Sequence, residues 1–314
     1  MHKFYLNIEM MNSKNTWFLG KDNFQKCTFI PGEINNEFIV ELLESDFEPN
    51  RDLEIILKDN LQSLKTNNIE ILYSGGVDSE ILLLICKKYN ISCTAVTMKI
   101  YLGDLLYNTH DLYYAEKFIR ENDIKHRFVY IDALDFFKSG KYLDYLVPYN
   151  IDEPHVATHM WLIDQCYDFP IFGGDWPWVH NHKKDKVLSP YRLSFHMYEH
   201  YMKDRGISGN GNMLGYSFES LYKLIQLHMA ADEYYAPMNT NNISAYIKQH
   251  MFNFKEPRIR SYGWDRAIIK LNFDVNHYKE ELAKYVKPTI PKIVWGNKIK
   301  NLIETDLTEN EKFE

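Results

Sequence analysis

Ile69-Glu70-Ile71-Leu72-Tyr73-Ser74-Gly75-Gly76-Val77-Asp78-Ser79-Glu80-Ile81-Leu82-Leu83-Leu84-Ile85-Cys86 holds two apolar runs around a glycine- and serine-rich hexapeptide. The first run has the length of a short buried strand, and the second reads as a helix packed on it. Between them, Gly75 and Gly76 let the backbone turn sharply and approach a ligand closely. Ser74 and Ser79 offer hydroxyls, and the N–H groups of the turn point outward at a helix N-terminus, which suits a phosphate or pyrophosphate. Asp78 conflicts with that ligand, since a carboxylate repels phosphate. A Mg2+ ion between the two removes the conflict, because Mg2+ binds through one or two carboxylates plus phosphate oxygens. A bare Gly-Gly would be an ordinary strand–turn–helix, but the six residues together meet the needs of one site.

Outward from this stretch, strands and helices alternate. Strands are predicted at 69–73, 92–98, 127–131 and 170–172, and helices near 78–89, 110–122 and 155–167. This rhythm predicts an α/β fold, a parallel sheet with helices on both faces. Ligands of such sheets bind beyond the carboxyl ends of the strands. The hexapeptide and a second loop, Gly173-Gly174-Asp175, both follow strands and are expected to open on the same edge. Residues 1–48 read as a small N-terminal β-containing segment, with strands at Lys3–Ile8, Thr16–Leu19 and Cys27–Ile30 and a turn at Pro31-Gly32. Apolar residues at helical spacing occupy 52–65. Residues 49–303 form the main domain, helical beyond 190, and 304–314 a polar tail.

The 314 residues are 45% hydrophobic and leave room for a sizeable core. Thirty-six basic against 43 acidic residues give a net charge of −7, so nucleic acid is not expected as a partner. No apolar stretch reaches the roughly 18 residues of a membrane span, and no signal peptide is evident at the N-terminus. Cys27, Cys86, Cys93 and Cys166 are scattered and read as reduced thiols of a cytoplasmic protein.

Ser74–Ser79 resembles the pyrophosphate loop of the N-type ATP pyrophosphatases, and further segments resemble the asparagine synthetase and β-lactam synthetase branch. Thr97-Met98-Lys99-Ile100 is similar to that branch's second strand, whose end cradles adenine. Asp111, Ala115 and Ile124-Lys125-His126 resemble its next helix and strand, and Asp152-Glu153-Pro154 its Asp-Glu-Pro segment. Phe172-Gly173-Gly174-Asp175 falls where the family has a second acidic glycine loop that contacts Mg-pyrophosphate. Glu233–Asn239 resembles a Glu-x-x-x-Pro segment, and Arg266–Lys270 a Lys-x-x-Leu-Arg segment. The resemblance runs from about residue 50 to 300 and implies an adenine nucleotide α-hydrolase-like fold with ATP and Mg2+ as cofactors. The nucleotide-binding residues it implies are Ser74, Gly75, Gly76, Val77, Asp78, Ser79, Thr97, Met98, Gly173 and Gly174, with Asp78 and Asp175 toward the metal.

Three departures bear on the substrate. Position 2 is His2, not the nucleophilic Cys of glutamine-dependent synthetases, and residues 1–48 are too few for a glutaminase domain. Phe172 stands where the family has a Glu or Tyr three residues before the Asp. Arg266 replaces a late Lys, keeping the charge but changing reach and geometry.

These residues imply an AMP-forming amide ligase. A small carboxylate attacks the α-phosphorus of ATP, pyrophosphate leaves, and an amine or ammonia displaces AMP without glutamine hydrolysis. The catalytic candidates are Asp78, Asp175, Glu233 as base or orienter, and Arg266, with Arg258, Arg260 and Lys270 as further cations. One alternative is a nucleobase-modifying ATP pyrophosphatase of the tRNA-thiolation or deazapurine type, whose relatives often carry paired cysteines absent here. A non-catalytic nucleotide-binding scaffold is another, and a homo-oligomer is left open. A competing motif, His196-Met197-Tyr198-Glu199-His200, matches His-x-x-Glu-His, in which two histidines one helical turn apart bind zinc and the Glu serves as base. His155 and His159 share that spacing. Trp176, Trp178 and His180 follow the second loop and are read as core or interface side chains.

Overall fold

The computed structural model describes residues 15–21, 25–29, 37–40, 50–174, 179–182, 185–188, 195–235, 251, 275–286 and 292–295. Strands β1 (Asn15–Leu19), β2 (Gln25–Phe29) and β3 (Glu37–Val40) form an antiparallel meander. Strand β11 (Lys292–Trp295) joins β3 in parallel, so residues far along the chain complete this sheet. The expected strand Lys3–Ile8, the turn Pro31-Gly32 and the polar tail lie outside the described residues. Thr16–Leu19 and Cys27–Phe29 are strand as expected.

The central sheet is built from β4 (Ile69–Leu72), β5 (Cys93–Leu102), β7 (His126–Asp132) and β8 (Phe169–Ile171). They run parallel in the order β7-β5-β4-β8. The two-residue β6 (Leu105–Leu106) folds back antiparallel on Tyr101–Leu102. All four residues of β4 are buried, Glu70 among them, which fits a strand covered on both faces. Strand β5 extends four residues beyond the expected end at Met98, because Lys99–Tyr101 keep pairing with β7 and Leu102 pairs with Leu105 of β6.

Three crossovers connect these strands. Helix α2 (Val77–Lys88) joins β4 to β5, and α3 (Thr109–Asn122) joins β6 to β7. Helices α4 (Ala133–Lys138), α5 (Lys141–Leu146) and α6 (Pro154–Asp164) join β7 to β8. Right-handed crossovers place helices on one face while the chain moves one way along the sheet, and on the other face after it reverses. The cores follow that rule. Ile71 and Tyr73 point into a core with α1 (Leu53–Ser63), α2 and α3, through Leu57, Ile81, Ile85 and Phe118. Leu72, Val96, Met98 and Ile100 point into the opposite core with α4, α5 and α6, through Phe136, Tyr142 and Met160. Each fully buried Leu or Ile side chain contributes about 1.5–3 kcal/mol of transfer free energy.

Helices α7 (Phe195–Asp204), α8 (Phe218–Tyr235) and α9 (Val275–Leu282) cover the second core with Tyr201, Tyr222 and Leu282, and α8 reaches the first through Leu224. A hairpin, β9 (Val179–His182) with β10 (Asp185–Leu188), follows β8. Among the described residues no helix is long and apolar enough to cross a membrane. Cys86 is buried in the first core, and Cys93 and Cys166 are half-buried free thiols.

Candidate nucleotide site

In the order β7-β5-β4-β8 the chain reverses direction between β4 and β8, and a parallel sheet has its ligand crevice at that reversal, beyond the carboxyl ends of the flanking strands. The loops leaving those two strands are Ser74–Gly76 and Phe172–Gly174.

The first loop is held from below. Ser79 Oγ donates to the Leu72 carbonyl at 2.9 Å, and Tyr73 OH donates to Glu80 Oε1 at 2.7 Å, tying the first turn of α2 to the end of β4. The Ser79 hydroxyl proton is therefore committed to the loop itself, which leaves the N–H of this residue as its donor. Gly76 caps α2 without a side-chain hydrogen bond, and the first-turn amides have no partner within the helix. Gly75 has φ +86°, a left-handed conformation that L side chains rarely adopt. A β-carbon there would stand 2.7 Å from the Asp111 carbonyl oxygen, so α3 begins directly against this loop.

The second loop touches the first. A β-carbon at Gly173 would stand 2.9 Å from Asp78 Cβ and 3.2 Å from Ser79 N. Only a glycine lets the two turns approach this closely. The structure thus brings together Ser74, Gly75, Gly76, Val77, Asp78, Ser79, Gly173 and Gly174. Asp78 is half-buried on the first turn of α2.

The other expected site residues are placed differently. Thr97 and Met98 lie mid-strand in β5 with buried side chains. Thr97 Oγ1 is 3.0 Å from His126 Nε2, and the Met98 carbonyl accepts from Asn108 Nδ2 at 2.9 Å. Glu233 belongs to the C-terminal part of α8. Asp175, Arg266, Arg258, Arg260, Lys270, Trp176 and Trp178 lie outside the described residues, while His180 is in β9.

Phe172 is not idle. Its ring stacks on Tyr198 with centroids 4.4 Å apart and planes at 12°. Tyr198 OH and His159 Nδ1 are 2.5 Å apart, and His155 pairs with Glu153 at 3.3 Å. The His-x-x-Glu-His run lies on α7. Glu199 Oε1 accepts from Gly211 N at 2.6 Å and from Asn210 Nδ2 at 3.1 Å, so that oxygen is occupied by protein. The residue is half-buried with its carboxylate enclosed. Burial raises its pKa to about 7, against the lowering effect of the Gly211 bond. His200 is buried edge-on to the Tyr149 ring, and burial lowers its pKa to about 4, Asp204 opposing and Lys203 reinforcing. Among the described residues no group of three or more His, Cys, Asp or Glu side chains forms a metal cluster.

Ser208-Gly209-Asn210-Gly211-Asn212 has a loop composition in the sequence but gives no hint of its place. It lies along β8. Ile171 makes a parallel bridge with Asn210, and Phe172 N donates to the Asn210 carbonyl at 3.0 Å. Leu214 N donates to the Gly173 carbonyl at 3.0 Å.

The cradle fits a magnesium-bound pyrophosphate. Two glycine-lined turns meet without a β-carbon at Gly173, the first turn of α2 with its N–H groups borders the contact, and Asp78 is on that turn.

No protein-family model matches the sequence, and no curated protein matches it. Solved structures are similar to it. A predicted subunit of tRNA methyltransferase from Methanocaldococcus jannaschii is 16% identical with a TM-score of 0.34, over 71% of this chain and 92% of that one. A tRNA thiolase from Methanococcus maripaludis with its [4Fe-4S] cluster is 16% identical with a TM-score of 0.33, over 80% of each chain. An NH3-dependent NAD synthetase from Campylobacter jejuni is 14% identical with a TM-score of 0.30, over 66% of this chain and 95% of that one. Similarity at this level assigns neither a substrate nor a reaction to this chain.

Proposed function

We propose that this chain is an ATP-dependent, AMP-forming enzyme of the N-type ATP pyrophosphatase kind, joining a small carboxylate to ammonia or an amine. The observation that carries the reading is the contact of Gly173 with Asp78 at the reversal point of the sheet. It supports reading the two glycine loops as parts of one site rather than two.

In this reading the carboxylate oxygen of the substrate attacks the α-phosphorus, and the bond from that phosphorus to the bridging oxygen breaks. Pyrophosphate departs carrying the electron pair. The amine then attacks the acyl carbon, gives up a proton, and AMP leaves. Ser74 and the N–H groups of Gly75 to Ser79 bind the β,γ end of ATP before the first step, and their fixed dipoles face the charge that grows on the leaving group. Asp78 and Asp175 would hold Mg2+, which when bound supplies Lewis-acid neutralisation of the phosphates. Arg266 adds positive charge, and Glu233 takes or orients the proton of the amine. Phe172 carries no proton-accepting group, so this chain's proton acceptor has to come from another position.

A second reading keeps the ATP step and changes the acceptor to a nucleobase. It is favoured by the start of α3. His110 and Tyr113 are exposed there, Tyr113 by 61%, beside a half-buried Tyr114. The Asp111 carbonyl abuts Gly75, so the turn of α3 that carries these rings borders the loop, and aromatic side chains of this kind stack bases.

The test is turnover of α-labelled ATP with Mg2+ against a panel of amino acids, other carboxylates, nucleosides and tRNA. Labelled AMP formed only with a carboxylate and an amine supports the ligase. Dependence on nucleosides or tRNA supports the second reading, and labelled ADP refutes both. ATP binding without turnover across the panel leaves a nucleotide-binding scaffold. Asp78→Ala is expected to lower pyrophosphate release at least about a hundredfold with the melting temperature preserved.

A further inference from the structure

Helix α7 carries two adjacent side chains linked to the second glycine loop, one directly and one through residues 210 and 211. Tyr198 stacks on Phe172, the residue leading into Gly173. Glu199 reaches the same loop at one remove. Its Oε1 holds Gly211 N at 2.6 Å and Asn210 Nδ2 at 3.1 Å. Asn210 exchanges backbone bonds with β8 and its exit: Asn210 N donates to the Pro170 carbonyl at 2.9 Å, and Phe172 N donates to the Asn210 carbonyl at 3.0 Å. Met213 N and Leu214 N then donate to the carbonyls of Phe172 and Gly173, at 3.1 and 3.0 Å. The Asn212 side chain lies against Gly174 and accepts from Gly215 N at 3.1 Å. Every backbone carbonyl from Pro170 to Gly173 except that of Ile171 thus accepts from this strap, and the strap's own anchor is a carboxylate.

We infer that α7 and the 210–214 strap set the gap between the two glycine loops, with Glu199 as the positioning residue of the pyrophosphate site. Glu199 touches no ligand and acts through the strap. The inference rests on reading the crevice as that site. It also gives the His-x-x-Glu-His run a use other than zinc chemistry, since the Glu is spent on backbone and side-chain amides. One oxygen takes two donors here, and its removal leaves both short of a partner. The strap can then shift, and Gly173 with it, away from Asp78.

The full chain is titrated by calorimetry with Mg-pyrophosphate and separately with AMP, at a temperature well below its melting transition. Glu199→Ala is expected to weaken Mg-pyrophosphate about tenfold or more while AMP changes less than about threefold. Glu199→Gln keeps an acceptor oxygen at the same reach and is expected to retain wild-type affinity for both. Pyrophosphate binding unchanged in Glu199→Ala overturns the inference, and so does loss of AMP in step with pyrophosphate, which a general loosening would give. Should Glu199→Ala not fold, Glu199→Asp serves. It keeps the charge but withdraws the carboxylate by one methylene, and undiminished pyrophosphate affinity there overturns the inference. A wild-type chain that binds no Mg-pyrophosphate refutes the reading of the crevice instead, a result distinct from either variant outcome.

Discussion

Gly75 and Gly173 face different obstacles to a side chain, and the two should fail differently. Gly75 sits at φ +86° with the Asp111 carbonyl 2.7 Å from a β-carbon position. Alanine there meets both backbone strain and a rigid oxygen, and is expected to cost about 1–3 kcal/mol of stability, seen as a lowered denaturation midpoint. Gly173 has no φ in the left-handed range, and its obstacles are Asp78 and Ser79 of the other loop. Alanine there pushes the loops apart while leaving the rest of the fold alone. Gly173→Ala is therefore expected to keep a near-wild-type melting temperature and to lose about tenfold or more in Mg-pyrophosphate affinity by calorimetry. A Gly173→Ala protein binding pyrophosphate as tightly as wild type would show that the loop contact is not part of the site.

At the scale of elements, the end of the sheet remote from the crevice has its own fastening. Glu70 on β4 is buried. It accepts from Arg127 Nε of β7 at 2.8 Å, and from Tyr167 N and Asp168 N ahead of β8 at 2.6 and 3.1 Å. One side chain therefore ties three strands. Glu70→Ala leaves a half-buried guanidinium and two amides without this acceptor, and is expected to destabilise the fold by about 3 kcal/mol in denaturant titration. Nucleotide affinity well below the transition should not change, because the crevice lies at the other end of the strands. The strands and their main crossover helices were legible because buried parallel strands read as apolar runs and their helices follow within a few residues. What stayed illegible has long-range causes. Strand β3 and its partner β11 are more than 250 residues apart in the chain, too far for any local pattern to pair them. Asn210 and Glu199 look like a turn residue and a motif carboxylate, and only the fold brings them to β8. Phe172 was legible as a departure from the family pattern, but its stacking on Tyr198 was not.

For the whole molecule, two cores on opposite faces of one sheet leave a crevice where the chain reverses, and the same burial sets the response to acid. Burial lowers the pKa of His126 to about 4, with Glu116 opposing and Lys99 adding to it, and burial lowers His200 to about 4 as well. A group whose folded pKa lies below its unfolded value of 6.5 contributes stability that is present above 6.5 and is lost as pH falls toward 4. Glu199 behaves oppositely. Its folded pKa of about 7 exceeds its unfolded value of 4.5, so its contribution is present below 4.5 and is lost as pH rises through about 7. Between these limits two histidines work against one carboxyl, and the melting temperature should fall on going from about pH 7.5 to about pH 5. Glu199→Gln removes the opposing group and should make that fall steeper, whereas His200→Phe removes one of the two drivers and should make it shallower. Melting curves of the three proteins at both pH values check the signs. A fall in Glu199→Gln no steeper than in wild type would mean that Glu199 keeps an ordinary carboxyl pKa in the folded chain, and that the strap's anchor is charged throughout the neutral range.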